Sequence, residues 1–131
     1  MTSSFWVNAA GDVIFMDFIT QGKTNRSLPL ATVRERYPRF EFTCTPNHWA
    51  TCDSKKRSVM RLWEHAVTAY ASKKGVSRDV ALISTKIILL VDCWPVNLSV
   101  EFKEWVRAHC PGIRVLYIPA GATGQYQVRS M

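Results

Sequence analysis

Lys86-Ile87-Ile88-Leu89-Leu90-Val91-Asp92 sets five consecutive apolar residues between a cation and a carboxylate. Five residues are too few for a buried helix, and the run is rich in β-branched and leucine side chains. Residues 86–91 therefore read as a central strand covered on both faces. Asp92 stands at the carboxyl end of that strand, the end that faces the ligand crevice in open α/β sheets. Downstream, Ser99 is placed to cap a helix reaching about His109, with Phe102, Trp105 and Val106 facing inward. Cys110-Pro111-Gly112 ends the helix, and residues 113–118 form the next strand. Strand, helix and strand in that order predict a parallel pair joined by a right-handed crossover.

Upstream, residues 54–74 carry the clearest helical pattern, with Val59, Met60, Trp63, Val67 and Tyr70 on one face. Lys55, Lys56, Arg57 and Arg61 lie in its first turns, where the helix dipole disfavours cations. That placement suggests a reason outside the chain for the positive charge, beside the simpler reading of a solvated face. Gly75 is the expected stop. Phe5-Trp6-Val7 and residues 13–19 read as two strands around the turn Ala9-Ala10-Gly11-Asp12. Residues 24–38, with two prolines, read as loop with a short helical turn, and Phe40-Glu41-Phe42-Thr43 as a short strand. The whole is an α/β layout, a mixed sheet flanked by helices.

A chain of 131 residues has room for one core, so residues 1–131 are expected to form a single domain. Its 47% hydrophobic and 21% charged residues belong to a globular protein rather than a disordered one. An apolar run of five residues falls far short of the about 20 that a membrane span needs, so no membrane partner is expected. Residues 1–5 lack the basic start and long apolar stretch of a secretory signal, so an intracellular protein is expected. Seventeen Lys+Arg against ten Asp+Glu give a net charge of +7, which favours an anionic partner, nucleic acid first. Cys44, His48 and Cys52 recur every fourth residue but lack the fourth ligand of a structural zinc site. His65, His109 and Cys110 would join them only if the fold brought them close; otherwise the cysteines read as small, reduced, buried hydrophobes.

Val91-Asp92-Cys93-Trp94-Pro95-Val96-Asn97-Leu98-Ser99, followed by Glu101-Phe102, resembles the second-aspartate motif of the DDE-type transposases of the pogo/Tigger group. In that motif the strand-end Asp leads through a small apolar turn, a His and a Ser into a helix. Tyr117-Ile118-Pro119-Ala120-Gly121-Ala122-Thr123, with Gln127, is similar to the family's strand, Pro-Ala, Thr and Gln segment. Phe18-Ile19-Thr20-Gln21-Gly22-Lys23-Thr24 resembles its strand ending in Gln-Gly-Lys-Thr, and His48-Trp49 its aromatic segment before the long helix. The four pieces are collinear from about Phe5 to Gln127. The resemblance implies an RNase H-like fold and the cutting and joining of DNA by two divalent metals held by three carboxylates. Two cations about 3.5–4 Å apart stabilise the attacking and leaving oxygens, and their repulsion demands several carboxylates.

The chain departs from the pattern at three places. It starts after the strand that bears the family's first aspartate. No acid stands near Ser130, where the third belongs, and Asn97 replaces the His. Asp92 is the remnant acid, and the metal ligand if there is one. Asp12 and Asp17 miss the motif position and read as a turn former and a solvent-facing carboxylate, and Glu101 and Glu104 read as solvated. The expectation is an incomplete RNase H-like, transposase-derived fragment in the nucleus, catalytically inactive and without cofactor. It would bind nucleic acid regardless of sequence through Lys55, Lys56, Arg57 and Arg61, or act as a protein-interaction module. Two alternatives stand beside it: an active Mg- or Mn-dependent nuclease completed by a partner chain, and an unrelated small α/β zinc or scaffold protein. The missing strand would leave a gap mid-sheet, and strand pairing within a homodimer is the expected compensation, because residues 87–91 are too apolar for an exposed edge.

Overall fold

The computed structural model describes residues 1–47 and 49–119, which fall into two compact units divided after Ser54. In the first unit, β1 (Thr2–Val7) pairs antiparallel with β2 (Val13–Gln21). Asn8 holds the connecting turn, its Oδ1 accepting from the N–H groups of Ala10 at 3.0 Å and Asp12 at 2.9 Å. Gly11 supplies the positive φ of 89° that this turn demands. A 3-10 turn at Asn25–Ser27 and a short helix, α1 (Ala31–Arg36), occupy the stretch expected to be loop with a short helical turn. β3 (Phe40–Thr45) returns parallel beside β2, so this sheet is mixed, in the order β1-β2-β3. Aromatic rings hold it together: Trp6 stacks on Phe15 at 5.4 Å, and Phe18 on Phe42 at 5.5 Å.

From Lys55 onward α2 (Cys52–Lys74) belongs to the second unit, and the helix begins two residues ahead of the expected start. Thr51 and Ser54 explain the earlier start. The Thr51 N–H donates to Ser54 Oγ at 2.8 Å, and the Ser54 N–H to Thr51 Oγ1 at 3.1 Å, a reciprocal cap for the first turn. Val59, Trp63 and Val67 are buried as the periodicity predicts, together with Leu62, while Met60 and Tyr70 are half-buried. Gly75, at φ 64°, ends the helix. α3 (Arg78–Ser84) follows, with Ser77 as its cap.

β4 (Ile87–Asp92) and β5 (Ile113–Ile118) form a parallel two-stranded sheet, with α4 (Pro95–Leu98) and α5 (Val100–His109) between them in sequence. Ser99 caps α5 as expected, accepting from the Phe102 N–H at 3.2 Å. The expectation of a strand covered on both faces is corrected. Leu89 is buried, but Ile88 is 66% and Leu90 59% exposed. Successive side chains of a strand point to opposite faces, and β4 buries the face carrying Leu89 while its alternate side chains lie outside. The described chain is thus α/β, with one mixed and one parallel sheet. None of its described helices is long and apolar enough to cross a membrane.

Candidate functional site

Because β4 and β5 are parallel, their carboxyl ends lie side by side, with Asp92 in register with Ile118. The chain turns at once into α4, where Pro95 fixes the first turn, and this brings Asn97 back over the strand end. Asn97 Nδ2 donates to Asp92 Oδ1 at 2.9 Å and to the Asp92 carbonyl at 3.2 Å. Asn97 is 1% exposed, and its Oδ1 has no hydrogen-bond partner among the described residues. The Tyr117 hydroxyl donates to the Asn97 carbonyl at 2.8 Å, and Cys93 Sγ to the Ile118 carbonyl at 3.0 Å. Lys103 holds its ammonium 5.3 Å from the centre of the Tyr117 ring. Burial, and then the neighbouring Cys93, raise the Tyr117 pKa, so its hydroxyl stays a donor.

Asn97 entered the sequence reading as a departure from a motif. In the structure it anchors the Asp92 carboxylate, with Tyr117 as a second brace. In the sequence Tyr117 is only one position of a strand, and its signal is the strand register that sets it beside Val91.

Asp12 and Asp17 belong to the first unit. Asp12 is the turn former expected, accepting from Asn8 Nδ2 at 3.0 Å. The reading of Asp17 as solvent-facing is corrected: it is half-buried and accepts from the Trp6 indole N–H at 2.7 Å. Cys44 donates to the Thr24 carbonyl at 3.3 Å, His109 stacks on Trp105 at 4.7 Å, and Cys110 is buried. His48 lies outside the described residues, as do residues 120–131, and with them Ala120 to Thr123, Gln127 and the neighbourhood of Ser130. Among the described residues, no group of three His, Cys, Asp or Glu side chains could hold a metal. A two-metal centre needs several carboxylates, so the described residues around Asp92 do not fit one.

The basic residues lie as the sequence predicts on α2, but their setting differs. With the helix starting at Cys52, Lys55, Lys56, Arg57 and Arg61 fall past its first three residues, and Asp53 occupies the first turn. The dipole penalty that suggested an outside anion is therefore smaller than expected. Lys56 is bound by Glu101 at 2.8 Å, so Glu101 is exposed but not merely solvated. Arg57 is exposed, and Lys55 and Arg61 are half-buried. Charge is unevenly shared: residues 55–119 carry eleven Lys+Arg against five Asp+Glu, whereas residues 1–54 carry five of each. A shallow cleft bordered by Lys86, Gly112 and Arg114 lies at the opposite end of β4 and β5 from Asp92.

No family model, curated protein or solved structure matches this chain.

Proposed function

We propose that the chain is a transposase-like, RNase H-like protein that binds nucleic acid without cutting it. The observation that carries the nucleic-acid part of this reading is the segregation of charge. Six net positive charges belong to the unit that contains α2 and Asp92, while residues 1–54 are balanced. An excess on one unit attracts phosphate at long range and needs no base-reading motif. Arg57 and its neighbours on α2 are the proposed contacts, and a nuclear location is part of the same proposal. The catalytic silence rests on Asp92, whose carboxylate is held by the Asn97 amide at 2.9 Å. One carboxylate cannot hold two metals against their repulsion.

The test has two arms. Fluorescence anisotropy with a short duplex is expected to give binding that weakens about tenfold in the combined Arg57→Glu, Arg61→Glu variant, with sequence mattering little. Incubation with supercoiled plasmid and Mg²⁺ or Mn²⁺ is expected to leave the plasmid intact. Metal-dependent nicking that disappears in Asp92→Ala would overturn the silence and favour a nuclease completed by a second chain. Absence of binding at low salt would overturn the nucleic-acid reading.

A further inference from the structure

β4 offers β5 one edge and keeps the other open among the described residues. The Ile87 N–H donates to the Gly112 carbonyl at 3.0 Å, which aims the backbone groups of Ile87, Leu89 and Val91 at β5. Those of Ile88 and Leu90 point the opposite way, where no partner meets them among the described residues. The side chains of the same two residues are 66% and 59% exposed. A strand with an open edge and an apolar outer face is a template for pairing with another chain.

We propose that β4 pairs antiparallel with β4 of a second copy of this chain, about a two-fold axis at Leu89. The sequence itself selects that register. With Leu89 on the axis, Ile88 faces the partner's Leu90, and Lys86 faces the partner's Asp92. The outer face of β4, continued back by one residue, reads Lys86, Ile88, Leu90 and the half-buried Asp92, and this order is complementary to its own reverse: apolar meets apolar and cation meets carboxylate. Backbone parity agrees. Bonded pairs in an antiparallel ladder alternate with non-bonded ones. In this register the bonded pairs include Ile88 with the partner's Leu90, the residues whose N–H and C=O groups face the open edge. Moving the axis to Ile88 or Leu90 keeps the parity but sets Lys86 against Leu90, or Asp92 against Ile88. Moving the register by a single residue turns the apolar side chains to the wrong face. Asp92 can serve both neighbours, since Asn97 bonds Oδ1 and leaves Oδ2 for the partner's ammonium. The two sheets would merge into one of four strands. Leu116, which neighbours Leu90 on β5, would extend the apolar row. The contact is isologous and closed, so it ends at a dimer. This inference is independent of the nucleic-acid reading.

Light scattering on the full chain at rising concentration tests it. The expected mass is twice 14.9 kDa. Ile88→Glu is expected to raise the dimer dissociation constant about tenfold or more, because symmetry places the change at two sites. Ile88→Glu combined with Leu90→Lys is expected to restore the dimer, since opposite charges then face each other across the axis. If circular dichroism finds Ile88→Glu misfolded, Lys86→Glu, on an exposed side chain, gives the same readout. A monomer at every concentration, a dimer indifferent to these changes, open-ended aggregates, or failure of the paired change to restore association would each overturn the proposal.

Discussion

Asn97, buried, and Asp92, half-buried, form an amide–carboxylate contact in which both amide hydrogen bonds end on one residue. Asn97→Asp removes the donor and sets a second carboxylate against the first. Its expected cost is about 1–3 kcal/mol at neutral pH, measured by urea denaturation. The repulsion raises the carboxyl pKa values of the folded variant, so the deficit should shrink as pH falls toward about 4 and the acids protonate. Cys110 offers a second check. Burial, and then Glu64, push its thiol up to about 11 from 9.0. The unfolded chain therefore loses this proton first, and the stability involved is present below about pH 9 and declines as pH climbs toward 11. Cys110→Ala should flatten that part of the pH profile. At pH 8, Cys44, Cys52 and Cys93, all half-buried, should react with a thiol reagent in the native chain, and Cys110 only after denaturation. The sequence predicted Asp92 at the strand end and a buried cysteine. It did not predict the Asn97 bond, because an i to i+5 contact across a Pro-started turn has no periodic signature.

At the scale of elements, the elements with strong patterns were legible and the short ones were not. The stripes of α2 and α5 are visible because each repeats its period, and β4 is visible as an unbroken apolar run between charged residues. α3 and α4 have seven and four residues, so neither completes enough turns to display a face. Whether β4 is covered on one face or two depends on which elements pack above and below its sheet, which its own sequence does not encode. Packing within the second unit is tight at Gly112, where an added Cβ would meet the Thr85 carbonyl and come within 2.6 Å of the Trp63 ring. Gly112→Ala is expected to destabilise by about 1–3 kcal/mol, seen as a lower denaturation midpoint with an unchanged slope. Ser99→Ala, which removes the α5 cap, should cost about 1 kcal/mol.

For the molecule as a whole, total charge was readable from composition, but its confinement to one unit follows only from where the chain divides. That confinement is the basis of the proposed function, and the cations of α2 are its proposed contacts. Lys56 is bound by Glu101, so a phosphate that it contacts must compete with that carboxylate. The direct measurement is the affinity for a mixed-sequence duplex between about 50 and 200 mM salt. Three to four phosphate contacts predict a log–log slope near −3, a fall of about 40- to 150-fold over that range, and a slope shallower by about one in Arg57→Gln. An affinity that stays level across the range, or a strong preference for one sequence, would contradict the account.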